Sequence, residues 1–137
     1  MKKFCKNIRK KFYLANNIRL TNKLNLDGAY IPSFNKDLSV NILKKKNIHL
    51  IGSAHSIKEI NEKKKQEIDL IFISPVFKIK KTKNYLGIIK FNTLSKLCNH
   101  KSIALGGINQ QNVNQIKIQN CCGFASISYI KENKNIY

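Results

Sequence analysis

Tryptophan is absent from the 137-residue sequence, methionine occurs once, proline occurs twice, and only 7 residues are acidic against 26 that are basic. No apolar run approaches the ~18 residues that a membrane-spanning helix needs. The basic N-terminus is not followed by an apolar segment, which argues against a secretory signal and makes a cytoplasmic protein the expectation.

The cysteines also lack a recognisable arrangement. None of the four is part of a C-x-x-C pair, so zinc and dithiol redox motifs are absent. Neighbouring cysteines such as Cys121 and Cys122 seldom form a disulfide. We therefore expect reduced cysteines that pack as small apolar side chains.

Positive charge is abundant. The formal net charge of +19 raises the question of nucleic-acid binding. However, all but two of the basic residues, Arg9 and Arg19, are lysines, whereas readout of base edges favours arginine. The lysines are also spread along the chain. We therefore do not expect nucleic acid as a partner, although weak attraction to polyanions is expected of such a chain.

A glycine pair near the C-terminus organises the rest of the chain. Residues 102–105 read as a short buried strand, and Gly106 and Gly107 then allow a tight turn. Asn109 can cap a helix predicted over 110–118. A strand, a glycine turn and a helix N-terminus in this order can bind an anion through backbone N–H groups. The alternative is that the glycines only make a turn.

Short apolar runs and amphipathic segments alternate along the chain. The predicted strands cover 11–15, 27–31, 48–51, 68–73, 102–105 and 123–128, the last ending in hydroxyl side chains. The predicted helices cover 2–10 as a basic arm, then 18–24, 35–46, 56–66, 90–99 and 110–118. This alternation predicts a parallel sheet with crossover helices, and the continuous apolar runs predict strands buried on both faces.

Five short motifs occur in a particular order. They are D-G-A-Y at 27–30, S-A-H-S at 53–56 with Glu59, S-P-V-F at 74–77 followed by T-K and L-G, A-L-G-G-I at 104–108 and G-F-A-S-I-S at 123–128. In this order they resemble the thiamine phosphate synthase and TenI-like family, which is a (β/α)8 barrel. The resemblance implies an incomplete TIM-barrel-like α/β fold, with about six parallel strands that correspond to the last six βα units.

The resemblance covers about residues 11–131 and implies a single domain over 1–137, with a basic arm at 1–10. Nothing in the sequence matches the family's first two strands or its Q-L-R-x-K motif. The family's two magnesium-binding aspartates fall at Asn16 and Asn35. The family thus implies Mg²⁺, whereas these exchanges remove two negative charges from the metal site.

The resemblance also implies substrate-binding residues. Gly106, Gly107 and Ser128 would hold the phosphate of a thiazole phosphate through backbone N–H groups and a hydroxyl. Ser53 would contact the pyrimidine of a pyrimidine diphosphate, or it only begins a capped turn. Lys83 would neutralise the leaving pyrophosphate, or it is a solvated lysine of a basic loop in which Lys81 could substitute for it.

His55 has two interpretations. The resemblance implies an acid/base for tautomerisation of thiazole phosphate, a role that suits an imidazole and needs no metal. The alternative is a histidine that only holds a loop by a hydrogen bond. Tyr30, which stands where the family has a histidine, is expected to pack.

Three functions follow. The first is a thiamine phosphate synthase-like transferase of thiamine biosynthesis, with full, reduced or lost activity. The second is a metal-independent tautomerase or a non-catalytic binder of a phosphate ligand. The third is a basic nucleic-acid-binding protein. A six-stranded sheet cannot close as eight strands do, so we also expect a homodimer, a partner chain or a marginally stable open barrel.

Overall fold

The computed structural model describes residues 1–79, 84–99, 101–117 and 120–132. The strands in these ranges are β1 (Tyr13–Ala15), β2 (Gly28–Ile31), β3 (His49–Ala54), β4 (Leu70–Ile73), β5 (Ser102–Leu105) and β6 (Gly123–Ala125). The helices are α1 (Lys2–Asn7), α2 (Ile18–Lys23), α3 (Asn41–Lys44), α4 (Ile57–Lys65), α5 (Gly87–Leu97), α6 (Val113–Lys117) and α7 (Ile127–Glu132), with a 3-10 turn at Leu38–Val40. No described helix is long and apolar enough to cross a membrane.

The strands form one parallel sheet. Its order follows the chain from β1 to β6, and each strand pairs with the next. A helix or helical turn follows each strand, as parallel connections require. The predicted fold class, an open TIM-barrel-like α/β sheet of six strands, is confirmed.

The two faces of the sheet differ in burial. On the face packed against the helices, Ala29, Leu50 and Ile73 are fully buried, in one core with Ile60 and Phe91. Neighbouring residues along a strand point to opposite faces. The alternate residues Ile51, Leu70, Phe72, Ile103 and Leu105 form the other face and stay partly exposed. The prediction of burial on both faces is thus correct for the helix-covered face only.

The helix predicted over 35–46 is mostly wrong. The segment contains only the short turn Leu38–Val40 and the four-residue α3, and 35–37 is a loop. Asp37 caps the turn, because its Oδ1 accepts a hydrogen bond from Ser39 N at 2.8 Å. Side chains distant in the sequence donate hydrogen bonds to the loop's carbonyl groups; Gln66 Nε2, for example, donates to Asp37 O at 2.9 Å. These contacts satisfy the backbone without a helix.

Other predicted boundaries shift by a few residues. The basic arm is helical only over Lys2–Asn7, α5 begins three residues earlier than predicted, and β3 continues to Ala54. The helix predicted over 110–118 is observed as α6, and residue 118 lies outside the described residues. The strand predicted over 123–128 ends at Ala125, and Ser128 belongs to α7 instead.

The N-terminal arm is docked on the body of the protein. Lys2 Nζ donates hydrogen bonds to Leu24 O at 2.7 Å and to Asn25 O at 2.9 Å, at the end of α2. Cations favour this position, because the last carbonyl groups of a helix carry its negative dipole end. The arm thus stabilises the C-terminus of α2.

Asp69 joins the start of the sheet to α3. Its Oδ2 accepts a hydrogen bond from Leu50 N at 2.8 Å, and its Oδ1 pairs with Lys44 Nζ. Burial alone would raise the pKa of the Asp69 carboxyl, but these hydrogen bonds and the charges of Lys44 and His49 lower it below the usual 3.8. A depressed carboxyl pKa stabilises the fold above pH ~4, and this stabilisation is lost as the pH falls through the folded-state pKa.

We expect Asp69→Asn to lower the free energy of unfolding by about 1–2 kcal/mol at pH 7, because it removes a charge-assisted hydrogen bond and an ion pair. Urea unfolding at pH 7 and at successively lower pH measures this. The difference from wild type should shrink as the pH falls below ~4 and through the lowered folded-state pKa, because the wild-type carboxyl then also becomes neutral. Glu67→Gln, an exposed neighbour, is the control. A constant difference down to pH 2 would contradict the assignment.

Candidate functional site

Polar side chains gather where the strands end. Parallel strands bring their carboxyl ends to one edge of a sheet, which is where ligands bind in α/β folds. Asn16 follows β1, Asn35 lies beyond β2, Ser53 lies near the end of β3, His55 follows β3, and Ser74 follows β4. The glycine pair follows β5, and the hydroxyls of Ser126 and Ser128 follow β6.

The turn after β3 is tightly organised. Ser53 is 5% exposed, and its Oγ accepts a hydrogen bond from Tyr30 OH at 2.9 Å. Ser56 caps α4, as predicted, by accepting from Glu59 N at 3.3 Å. The Glu59 carboxylate reaches His55 N at 2.6 Å rather than the N–H of the capping serine, so the predicted capping box is shifted by one residue.

Tyr30 does more than pack. Its ring lies 6.2 Å from that of Phe72, in agreement with the predicted packing role. Its hydroxyl also fixes the rotamer of Ser53. The sequence did not reveal this hydrogen bond, because the two residues come from neighbouring strands and meet only through the sheet register.

The imidazole of His55 is held on one side. Its Nδ1 lies 2.6 Å from Ser74 O and 3.3 Å from Ser74 Oγ. A carbonyl oxygen can only accept, so Nδ1 carries the hydrogen and Nε2 is the basic nitrogen of the neutral ring. His55 is an exposed residue at the edge of the site. Such an imidazole can take a proton at Nε2, so the structure is compatible with both predicted roles.

The glycine pair lies against the segment that follows β4. Val76 N donates to Leu105 O at 2.9 Å, and Phe77 N donates to Gly106 O at 3.1 Å. Gly106 and Gly107 have φ angles of 95° and 71°. A Cβ on Gly107 would lie 2.7 Å from Phe77 O, closer than real contacts allow. Both the backbone conformation and the close approach therefore require glycine here.

We expect Gly107→Ala to destabilise the protein by about 2–4 kcal/mol, since the methyl group meets a carbonyl oxygen and the backbone is left-handed. Gly87→Ala is the matched control, because Gly87 has the same φ of 71° and nothing lies within 4 Å of its added Cβ. The control should cost only about 1 kcal/mol. Urea unfolding compares the two, and equal losses would show that the close approach is unimportant.

Two asparagines stabilise the backbone after the glycine pair. Asn109 Oδ1 accepts hydrogen bonds from Gln111 N at 3.0 Å and from Asn112 N at 3.2 Å, so it caps the turn over 110–112, and α6 begins only after this turn, at Val113. In return, Asn112 accepts from Asn109 N at 2.9 Å and donates to Gly107 O at 2.9 Å. The sequence analysis missed Asn112, although its three-residue spacing from Asn109 is typical of a reciprocal cap.

Ser126 joins the last two βα units. Its Oγ donates to Ile108 O at 2.5 Å and accepts from Tyr129 N at 3.1 Å, so it caps α7. Ser128 is exposed in the first turn of that helix. The amide nitrogens of Gly107, Ile127 and Ser128 donate to no acceptor among the described residues. First-turn amides of a helix lack partners within the helix. The structure thus brings the two predicted phosphate-binding segments together, through a serine that the sequence analysis did not single out.

The two asparagines at the predicted metal positions bind each other. Asn35 Nδ2 donates to Asn16 Oδ1 at 2.7 Å, and Asn35 Oδ1 accepts from Asp37 N at 2.8 Å. Magnesium prefers anionic oxygens, which an amide does not supply. The described residues contain no group of three or more His, Cys, Asp or Glu side chains that could hold a metal. The side chains present do not fit Mg²⁺.

Lys83 and Lys81 lie outside the described residues, so the predicted pyrophosphate-neutralising side chain is not placed. Lys78, at the start of this lysine-rich segment, is exposed. A role of Lys83 stays a prediction.

The fold and the position of the site define a TIM-barrel-like α/β protein with polar groups at the carboxyl ends of its strands. The model of a family described as "Thiamine monophosphate synthase" (TMP-TENI) matches residues 1–130. The chain belongs to this family, and the predicted family resemblance is confirmed.

Curated relatives agree with this assignment. A thiamine-phosphate synthase from Prochlorococcus marinus is 31% identical over 118 residues, which cover 82% of this chain and 34% of that protein. The enzyme of a second strain of this species is 31% identical over 124 residues, which cover 84% of this chain and 34% of that protein. The chain thus spans about a third of the length of these relatives.

Solved structures show the same fold. The thiamine phosphate pyrophosphorylase from Pyrococcus furiosus superposes with a TM-score of 0.74 at 18% identity, and the match covers 91% of this chain and 61% of that chain. The pyrophosphorylase from Bacteroides thetaiotaomicron has a TM-score of 0.51 at 26% identity, covering 83% and 53% respectively.

Proposed function

We propose that this chain acts in thiamine biosynthesis as a thiamine-phosphate-synthase-type protein, which joins a pyrimidine diphosphate to a thiazole phosphate with release of pyrophosphate. The observation that carries the proposal is the site built from Gly106, Gly107 and the first turn of α7, in a chain of this family. The curated synthases are about three times as long as this chain, so we assign their activity to this chain as a proposal.

The phosphate of the thiazole substrate would bind at the glycine pair. Three observations support this location: the amides of Gly107, Ile127 and Ser128 have no acceptor among the described residues, Ser128 is exposed in the first turn of α7, and the turn excludes any side chain at residue 107. Backbone amides at a helix start are suited to an anion. Ser53, fixed by Tyr30, would contact the pyrimidine, and Lys83 would neutralise the pyrophosphate.

We further propose that the reaction proceeds without a bound divalent cation. Asn16 and Asn35 engage each other, and the nearest carboxylate in the loop, that of Asp37, accepts from Ser39 N and Ser39 Oγ. The charge of a leaving pyrophosphate would then be met by lysines alone. Because a metal stabilises such a charge by several kcal/mol, we expect a slow synthase.

Tautomerisation of thiazole phosphate is the second candidate function. It is favoured by the His55 geometry, in which Ser74 O fixes the hydrogen on Nδ1 and leaves Nε2 as the base. His55 would take a proton from one atom of the thiazole and return it to another. The substrate's formula does not change, so no further reactant is needed.

A coupled assay with pyrimidine diphosphate and thiazole phosphate tests these functions, run in parallel with millimolar Mg²⁺ and with EDTA. We expect slow formation of thiamine phosphate that EDTA does not abolish. His55→Asn should leave the synthase rate within about threefold and reduce tautomerisation at least about 100-fold. No product at millimolar substrate, together with no heat of thiazole phosphate binding in calorimetry, would overturn the proposal.

The outer strands suggest a partner. Among the described residues, β1 pairs only with β2 and β6 only with β5, so each leaves one backbone edge without a strand. Open edges invite pairing. We propose that a second chain or a second copy covers them. Size-exclusion chromatography with light scattering should show a species larger than the 15.8 kDa chain. A stable compact monomer with protected β1 and β6 amides would contradict this.

Exclusion of nucleic acid and a cytoplasmic location stay predictions.

A further inference from the structure

Lys63 is a buried lysine that the proposed chemistry does not use. It lies on α4, and its side chain is among the largest that are fully buried. Its stem crosses β3 at Gly52, where an added Cβ would come within 3.0 Å of Lys63 Cδ. The absence of a side chain at residue 52 therefore makes room for the lysine.

The ammonium group is fully hydrogen-bonded. Lys63 Nζ donates to Pro32 O at 2.7 Å, to Asn35 O at 2.8 Å and to Gln66 Oε1 at 2.8 Å. Three donors thus meet three oxygens, which compensates for burial of the charge. Burial lowers the pKa of Lys63 to about 8, against the opposing charges of Glu59 and Glu62, so the group is still mostly protonated at pH 7.

These contacts hold the loop that follows β2. Gln66, also fully buried, donates from Nε2 to Asn35 O at 3.1 Å and to Asp37 O at 2.9 Å. The loop in turn presents the Asn35 side chain to Asn16, at the end of β1. An unbroken chain of hydrogen bonds therefore runs from the buried ammonium to the two asparagines of the site.

We propose that Lys63 is a positioning residue whose buried positive charge orders the 32–37 loop from the helix-covered side of the sheet. It takes the place of a divalent cation bound between residues 16 and 35. The inference rests on the proposed function for the identity of the site, but the ordering of the loop can be measured without any substrate. The amino group is covalently attached and mostly protonated at pH 7, so the loop needs no metal to hold Asn35 against Asn16.

Hydrogen exchange at the Asp37 amide reports on the loop directly, because this N–H donates to Asn35 Oδ1 at 2.8 Å. Lys63→Met keeps the stem and removes the charge, so we expect the Asp37 amide to exchange about tenfold faster or more. Lys64→Met is the matched control, an exposed neighbour on the same helix. The Leu20 amide, held by Asn17 Oδ1, should not change in either variant. Unchanged exchange at Asp37 in Lys63→Met would overturn the proposal.

Rescue by a metal ion distinguishes an effect of the Lys63 charge from an effect of the volume of its side chain. In the triple variant Asn16→Asp, Asn35→Asp and Lys63→Met, two carboxylates lie where two amides are 2.7 Å apart. Addition of Mg²⁺ should return the Asp37 amide to within about threefold of its wild-type exchange rate, and EDTA should reverse this. If Mg²⁺ has no effect, Lys63 only fills the cavity and the proposal fails, whatever the assay for thiamine phosphate gives.

Gly52→Ala covers the case in which Lys63→Met does not fold. The added methyl group crowds the lysine stem without removing its charge. We expect faster exchange at Asp37, by about threefold or more, and a small loss of global stability. A rate equal to wild type would count against coupling between the stem and the loop.

Discussion

The structure depends most on the close backbone contact between the glycine pair after β5 and the segment that leaves β4. Two hydrogen bonds, Val76 N to Leu105 O and Phe77 N to Gly106 O, extend the pairing of these strands past their ends. No side chain can enter this contact at residue 107. The glycine pair and the first turn of α7 lie at the same edge of the sheet, and Ser126 Oγ connects the two segments through its hydrogen bond to Ile108 O.

On the β1–β3 side of the site, a buried charged side chain stabilises the backbone. The chain carries a formal net charge of +19, and it uses one of its lysines as an internal group rather than leaving all of them in water. Lys63 holds the 32–37 loop in place by donating hydrogen bonds to Pro32 O and Asn35 O. The amide pair of Asn16 and Asn35 then forms without anionic ligands. The one buried ammonium of this region thus lies beneath a pair of neutral amide side chains.

Sequence patterns predicted what depends on neighbouring residues. The apolar runs located the six strands of the described residues, and local polar patterns located Ser56 as the cap of α4 and Asn109 as the cap of a turn, because these features follow from local backbone chemistry. Sequence patterns failed where side chains distant in the sequence determine the local backbone structure. The loop at 32–37 is shaped by Lys63 and Gln66, which follow Asn35 by 28 and 31 residues in the sequence. Ser126 likewise acts through a carbonyl 18 residues earlier, so its role was invisible in the pattern G-F-A-S-I-S.

The central claim is that a phosphate group binds the backbone amides at the carboxyl ends of β5 and β6. The most direct test is an amide NMR titration of the ¹⁵N-labelled protein with thiazole phosphate in the presence of EDTA. We expect the largest chemical-shift changes at Gly107, Ile127 and Ser128, saturating together with one dissociation constant. Changes confined instead to the cleft at the opposite end of the sheet, lined by Lys44, Lys64 and Lys101, would contradict the claim.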